Sequence, residues 1–564
     1  MIDMSRRPQI VWGLLLVAAW GSFWSVPQVA AATPMRAMIL FDTSGSMRKN
    51  DPHRLSRVAA QLFLELTGPH DQVGLIAFSD DGVPLLPLTT LSSPAVKKPF
   101  LAKLRALRFN GQTTDLGAAL QAGLASFSEQ STEDSRDLVL LLTDGKLDLG
   151  APRRAEEPLA LAYIRETLLP QYQERGIAVY TIAFTAAADR ALLQEMAQGT
   201  AGEFRFIPSA KMLHKAFSEL FVLAQQAESI PMQDGTVLLD ASIQEASLIL
   251  SKAKAQEPLA LVTPQQQRLH AGSTHPGVHW NSTPSYDLVR LTKPEPGSWQ
   301  VVRSSGHEDD MAIIGASSLS LQVELSPEYL ESGEPFTIHA RLLENGQPTH
   351  DPQHLRGLMV QAEITTPEGK RFSVPLQPQA AGEFTALLAT PEVPGQYRLV
   401  LTAASPTLRR QRALSFIPQP RCFEPSVVAD PPVTVRITLT EACPFWRKLT
   451  LQARYVPDQE TGQNDRAWLR LESIKPRVFQ ATLPVPHEEG KHVMIRIRGS
   501  RGGKQSFTLM RGPLPLPQLP PPEMVWFALA KTVGFQLLGI NVVLGVGGAG
   551  GYCVYRSFAR RKKV

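Results

Sequence analysis

Asp137–Leu142 reads DLVLLL, and this unbroken apolar run sets the tightest constraint on the fold. A strand wetted on one face alternates apolar and polar residues, whereas a run of this kind must be covered on both faces. Such strands belong to parallel sheets whose crossovers are helices. Ala37–Phe41 (AMILF) is a second run of the same type. Elsewhere in this part of the chain the period lengthens. Arg54–Leu66 places Leu55, Val58, Ala59, Leu62 and Leu66 on one helical face. Further strands are expected at Gln72–Phe78, Ile177–Phe184 and Glu203–Ile207. Further helices are expected at Leu116–Phe127, Glu156–Arg175, Asp189–Gln198 and Lys211–Gln226. The alternation over residues 33–228 predicts an α/β, doubly wound, largely parallel sheet. Ligands of such sheets sit beyond the carboxyl ends of the strands.

Three polar segments fall at those ends. The first strand runs into Asp42-Thr43-Ser44-Gly45-Ser46, a later loop reads Asn110-Gly-Gln-Thr-Thr-Asp-Leu-Gly117, and the DLVLLL strand ends in Thr143-Asp144-Gly145. Together they resemble the metal-ion-dependent adhesion site (MIDAS) of von Willebrand factor A (vWA) domains: DxSxS, a distal Thr and a distal Asp, in that order. The resemblance implies a Rossmann-like vWA domain over 33–228. It also implies a Mg²⁺ or Mn²⁺ ion held by Asp42, Ser44, Ser46, Thr114 and Asp144. Aligning on Asp115-Leu116-Gly117 selects Thr114; Thr113 is its rival, because Gln112 and Thr113 stand where a Gly is common. Asp115 itself suits a helix N-cap. The oxygens are chemically apt, since Mg²⁺ takes hard oxygen ligands and few protein carboxylates. Two carboxylates leave the ion able to accept one more anionic oxygen, which in the family comes from an acidic residue of a partner protein. The site therefore reads as a binding device. No GxSxG, HExxH or P-loop pattern is present, and an enzyme is not expected.

From residue 229 to 512 strand-like runs alternate with Pro, Gly and Asn turns. Leu319–Leu325 (LSLQVEL) has a clean period of two, and Asn345-Gly346 is a hairpin signal. Similar closings recur at Pro296-Gly-Ser-Trp299, Pro394-Gly-Gln-Tyr397 and Gly490-Lys-His492. This looks like tandem immunoglobulin-like β-sandwiches, expected at 229–316, 317–418 and 419–512, serving as spacers.

The ends of the chain set the expected compartment. Arg6 and Arg7 precede the apolar run Ile10–Trp20, and Ala30-Ala31-Ala32 suits a cleavage site, so 1–32 reads as an export signal. Residues 513–523 form a Pro-rich stalk, with six prolines among 513–522. Thr532–Tyr555 carries no charge, and 524–555 is expected to hold one transmembrane helix. The tail 556–564 has five basic residues, which mark a cytoplasmic end. The bulk of the chain is then extracytoplasmic or periplasmic, anchored by a single pass in the plasma (inner) membrane. That compartment permits a disulfide between Cys422 and Cys443.

The formal charge of +5 invites a nucleic-acid reading, but the tail accounts for all of it. Residues 33–555 sum to −1, and no nucleic-acid partner is expected. Two roles fit. One is a membrane-anchored adhesion or scaffolding protein with a metal-bridged protein partner. The other is a metal-regulated subunit of a periplasmic assembly or stress-response complex.

Overall fold

The fold is that of a computed structural model, which describes residues 34–515 apart from 128–134, 209, 253, 304–310, 380–381, 429–432, 442–447, 457–467, 484–491 and 502–504. The expected export signal, membrane segment and basic tail lie outside the described residues, as do Cys443 and with it the expected pairing to Cys422. Among the described residues no helix is long and apolar enough to cross a membrane.

The first domain is built on a six-stranded sheet. Its strands are β1 (Met35–Asp42), β2 (Gln72–Phe78), β3 (Gly82–Thr90), β4 (Arg136–Thr143), β5 (Ala178–Ala183) and β6 (Phe204–Phe206), in the order β3-β2-β1-β4-β5-β6. All neighbours are parallel except the β2–β3 pair. The helices are α1 (Met47–Asn50), α2 (Leu55–Leu66), α3 (Pro94–Ala106), α4 (Leu116–Ala125), α5 (Glu157–Tyr163), α6 (Leu169–Arg175), α7 (Arg190–Gly199) and α8 (Ala210–Gln225). Two cores explain the unalternating strands. Ile39, Phe41, Leu140 and Leu142 face one cluster, with Leu62, Phe63 and Phe217. Met38, Leu40, Val139 and Leu141 face the other, with Leu120, Tyr172 and Leu193. Each such side chain contributes roughly 1.5–3 kcal/mol on burial, so both faces of β1 and β4 hold the sheet in place.

Two local features depart from the sequence expectation. The helix expected over Glu156–Arg175 is broken into α5 and α6 by a π-helical turn at Ile164–Leu168. Pro170 sits in the first turn of α6, where its missing N–H and ring prevent regular continuation. Strand β3 and helix α3 were not anticipated. Pro84 and Pro87 interrupt the alternation of β3, which is a half-exposed edge strand, and α3 contains Pro99.

The β-rich half contains a nine-stranded antiparallel sheet. It runs through Val278–Ser282, Tyr286–Thr292, Ile243–Ser251, Met311–Ser317, Glu228–Pro231, Arg409–Phe416, Tyr397–Ala404, Met359–Thr365 and Arg371–Pro375. One buried cluster joins its first part to a small sheet through Leu248, Val289, Leu261 and Trp299. Another joins its second part to a sheet containing Leu319–Ser326 and Pro335–Glu344, through Leu321, Phe336, Leu399 and Leu401. The sheet thus crosses residues 316/317, where separate units were expected. Its seam is Glu228–Pro231, which pairs with Met311–Ser317 on one side and Arg409–Phe416 on the other. At the seam the fully buried Arg410 reaches Asp240 and, at 3.4 Å, Glu228. Two further four-stranded sheets enclose a last core that includes Cys422, Val435, Leu451 and Ile495. Their final strand, Gln505–Pro515, takes in the first three residues of the Pro-rich stretch.

The units are packed against one another. Ile249, Leu288 and Ile313 of the nine-stranded sheet join the cluster of α2 and α8. Glu65 of α2 accepts hydrogen bonds from Tyr286 Oη at 2.9 Å and Asn281 Nδ2 at 3.0 Å. At the other joint Tyr329 stacks on Phe507 at 4.8 Å and donates to Cys422 Sγ at 3.3 Å.

Candidate metal centre

Three loops at the carboxyl end of the parallel sheet are stitched together by main-chain bonds. Gly45 N donates to Gly111 O at 2.9 Å, and Gly111 N to Thr43 O at 3.1 Å. Thr114 N donates to Asp148 O at 2.8 Å, and Asp148 N returns to Thr114 O at 3.2 Å. A Cβ at Gly111 would overlap the Ser79 side chain, so this close approach requires glycine.

These bonds bring four of the five expected ligands into one linked group. Asp42 is fully buried at the end of β1. Its Oδ1 accepts from Ser44 N at 2.8 Å and its Oδ2 from Thr143 Oγ1 at 2.6 Å. The Ser44 and Ser46 hydroxyls are 2.9 Å apart, and Ser46 Oγ donates to Asp144 Oδ1 at 3.1 Å. Ser46 is exposed while Ser44, Asp42 and Asp144 are buried, so the group opens to solvent over Ser46. The fifth, Thr114, is buried, and its Oγ1 would lie 3.4 Å from a Cβ on Gly145, beside Asp144. Its rival Thr113 instead donates to Asp80 Oδ1 at 2.5 Å. Asp115 caps α4 by accepting from Ala118 N at 2.9 Å.

Two groups were not read from the sequence. Thr143 is fully buried and holds Asp42; the available signal was a hydroxyl closing an otherwise apolar strand. Asn50 of α1 acts on Asp144 by holding its carboxyl down, and nothing in the motif pointed to it.

The electrostatics favour a cation. Burial pushes the Asp42 carboxyl up to about 6, against the lowering effect of the Ser44 and Thr143 bonds, and Asp144 adds like charge. Burial also raises Asp144, opposed by Asn50 and Ser46. Asp144 Oδ2 is buried without a hydrogen-bond partner among the described residues. A buried carboxylate oxygen left unpaired is costly, and a bound cation would relieve that cost. Among the described residues no group of three or more His, Cys, Asp or Glu is placed to hold a metal. The donors here are two carboxylates and three hydroxyls, a hard-oxygen set that suits Mg²⁺ or Mn²⁺.

Solved structures similar to the chain include three of known type. A von Willebrand factor type A protein from Catenulispora acidiphila is 15% identical with a TM-score of 0.27, over 57% of this chain and 64% of that one. Proximal thread matrix protein 1 of the mussel byssus, with a zinc-occupied MIDAS motif, is 19% identical with a TM-score of 0.26, over 38% and 51%. An aerotolerance-related membrane protein from Bacteroides fragilis is 20% identical with a TM-score of 0.25, over 33% and 98%. The chain thus spans 64% of the length of the first and about half of the second. No curated protein matches it. The model of the von Willebrand factor type A domain matches residues 38–219. With the βα order and the loops that close over Asp42, this part of the chain is a von Willebrand factor type A domain.

Proposed function

We propose that this domain binds a protein partner by presenting a divalent cation to one of the partner's carboxylates. The observation that carries the reading is Asp144 Oδ2, buried and unpaired beside Asp42 and the two serine hydroxyls. Asp42, Ser44, Ser46, Thr114 and Asp144 would hold Mg²⁺ or Mn²⁺. When bound, the ion supplies a positive centre able to take one more anionic oxygen. The chain's own residues do the rest. Thr143 and the Ser44 amide fix the Asp42 carboxylate, Gly111 holds the first loop against the second, and Ser46 keeps the opening polar. The motif loops contain no histidine, which favours recognition over turnover.

The sequence supports an exported chain held by one membrane helix at 524–555, with the basic tail in the cytoplasm and the β-rich half as a spacer. A pull-down from native membranes with the wild type and Asp42→Ala, each with and without EDTA, tests the mechanism. A partner held only by the metal-loaded wild type supports it, and a partner retained under all four conditions refutes it. A reporter fused after Val564 should behave as cytoplasmic, and one inserted in the stalk as external.

A further inference from the structure

One outward face of the last module gathers three arginines. In the sheet made by Lys448–Val456, His492–Arg501 and Gln505–Pro515, the residues Leu451, Ala453, Val493, Ile495 and Ile497 face the core. The alternate positions face outward, and they include Arg454, Arg496 and Arg498. Register places Arg454 opposite Met494 and Arg496 opposite Met510, which is 43% exposed. The Trp468 ring lies against two guanidinium groups, 4.7 Å from that of Arg454 and 4.2 Å from that of Arg496.

No carboxylate among the described residues pairs with these three arginines. Arg496 bonds Gln452 Oε1 at 3.0 and 2.7 Å, and Arg454 Nε is buried without a hydrogen-bond partner among the described residues. Burial, then Arg498 and Arg454, hold Arg496 below its ordinary pKa, so the three charges feel one another. Stacking on Trp468 offsets part of this repulsion but supplies no anion.

We propose that this face docks onto the anionic phospholipid headgroups of the membrane that holds the chain. The proposal rests on the reading of 524–555 as a membrane anchor. Charge is complementary, and guanidinium groups bind phosphodiester oxygens bidentately. Trp468, Met494 and Met510 supply the apolar tips that suit a membrane interface. Position argues the same way. Residues 516–523 separate the last strand from the anchor, about 25 Å if extended. His492 pairs with Pro515. Arg496 lies four residues along that strand from His492, about 13 Å. The tether holds the face near the bilayer at high effective concentration, so a contact too weak to recruit a free domain suffices.

The test uses the full chain reconstituted into vesicles of phosphatidylcholine alone or mixed with phosphatidylglycerol. A photo-reactive residue replaces Thr508, which sits opposite Arg498 on the same face (Thr508→p-benzoyl-phenylalanine). Crosslinking to lipid should be at least about tenfold greater in the anionic vesicles and should fall in high salt. Arg498→Gln alone should reduce it, and Arg454→Gln/Arg496→Gln/Arg498→Gln should abolish it; the salt series needs no variant and stands if the triple variant fails to fold. Equal crosslinking in both vesicle types, crosslinking to protein or added nucleic acid instead of lipid, or no lipid adduct in a chain that resists carbonate extraction would each overturn the proposal. A chain extracted by carbonate from both vesicle types would overturn the anchor itself, and the tethered docking with it.

Discussion

Thr143 Oγ1 donates to Asp42 Oδ2 at 2.6 Å, and both residues are fully buried at the ends of adjacent parallel strands. The pair fixes the carboxylate before any ion arrives, and it does so from a residue outside the DxSxS run. Thr143→Val keeps the shape and removes the donor. Mg²⁺ affinity should fall about tenfold, the usual cost of losing a group that orients a ligand. Calorimetric titration giving an unchanged affinity would remove Thr143 from the site.

The two candidate threonines separate by the same measurement. Thr114→Val should weaken Mg²⁺ binding by about tenfold or more. Thr113→Val should leave it near wild type, since its hydroxyl is engaged by Asp80. The reverse order would exchange their roles.

Acid should stabilise the metal-free form and leave the metal-loaded form nearly unchanged. Asp42 is raised from 3.8 to about 6 in the folded chain. The folded metal-free form therefore holds a proton that the unfolded chain has lost. Its stability should rise as pH falls from about 7 through 6, and flatten near 4, by up to about 3 kcal/mol. With saturating Mg²⁺ the folded carboxylate stays ionised, as it is in the unfolded chain above about pH 5, so stability should be nearly flat from about pH 7 to 5 and the increment that Mg²⁺ adds should shrink. Denaturant titrations at pH 7 and 5, with and without Mg²⁺, give the two slopes; parallel slopes would refute the assignment.

The docking of the vWA domain on the β-rich half can be weakened at one atom. Tyr286→Phe removes the donor to Glu65 Oε2 in a buried contact. A hydrogen bond to a charged group contributes about 1.5–3 kcal/mol. Urea unfolding monitored at the interface should show a loss of that order, and a change below about 0.5 kcal/mol would mean the contact is not formed in solution.

Arg410 should be more sensitive. Replacing it leaves Glu228 and Asp240 without their buried partner. Arg410→Met is expected to cost about 3–5 kcal/mol. A stability equal to wild type would show that the two carboxyls are neutral or hydrated there.

The legible parts of the sequence were those where the signal is local. The unalternating strands β1 and β4 reported burial on both faces, and the two cores, one around Phe41 and Leu140 and the other around Leu40 and Leu141, are what they required. The DxSxS loop and Asp144 could be placed because strand ends position them. The choice between Thr113 and Thr114 needed geometry, since the pattern permits either and only the contact with Asp80 separates them. The shared nine-stranded sheet was not legible at all. Its seam joins Ser229 to Gln411, and no periodicity connects residues so far apart. The prolines of β3 hid an edge strand for the opposite reason, by breaking a local pattern that the hydrogen-bonded neighbour tolerates.

A seam made of strand pairing has no swivel. Domains joined by linkers drift relative to one another, whereas here the vWA domain, the sheet it rests on and the module beyond Tyr329 are bound edge to edge or core to core. The described chain then turns as one piece rather than as a string of beads. Whatever orients one module therefore orients the Ser46 opening with it.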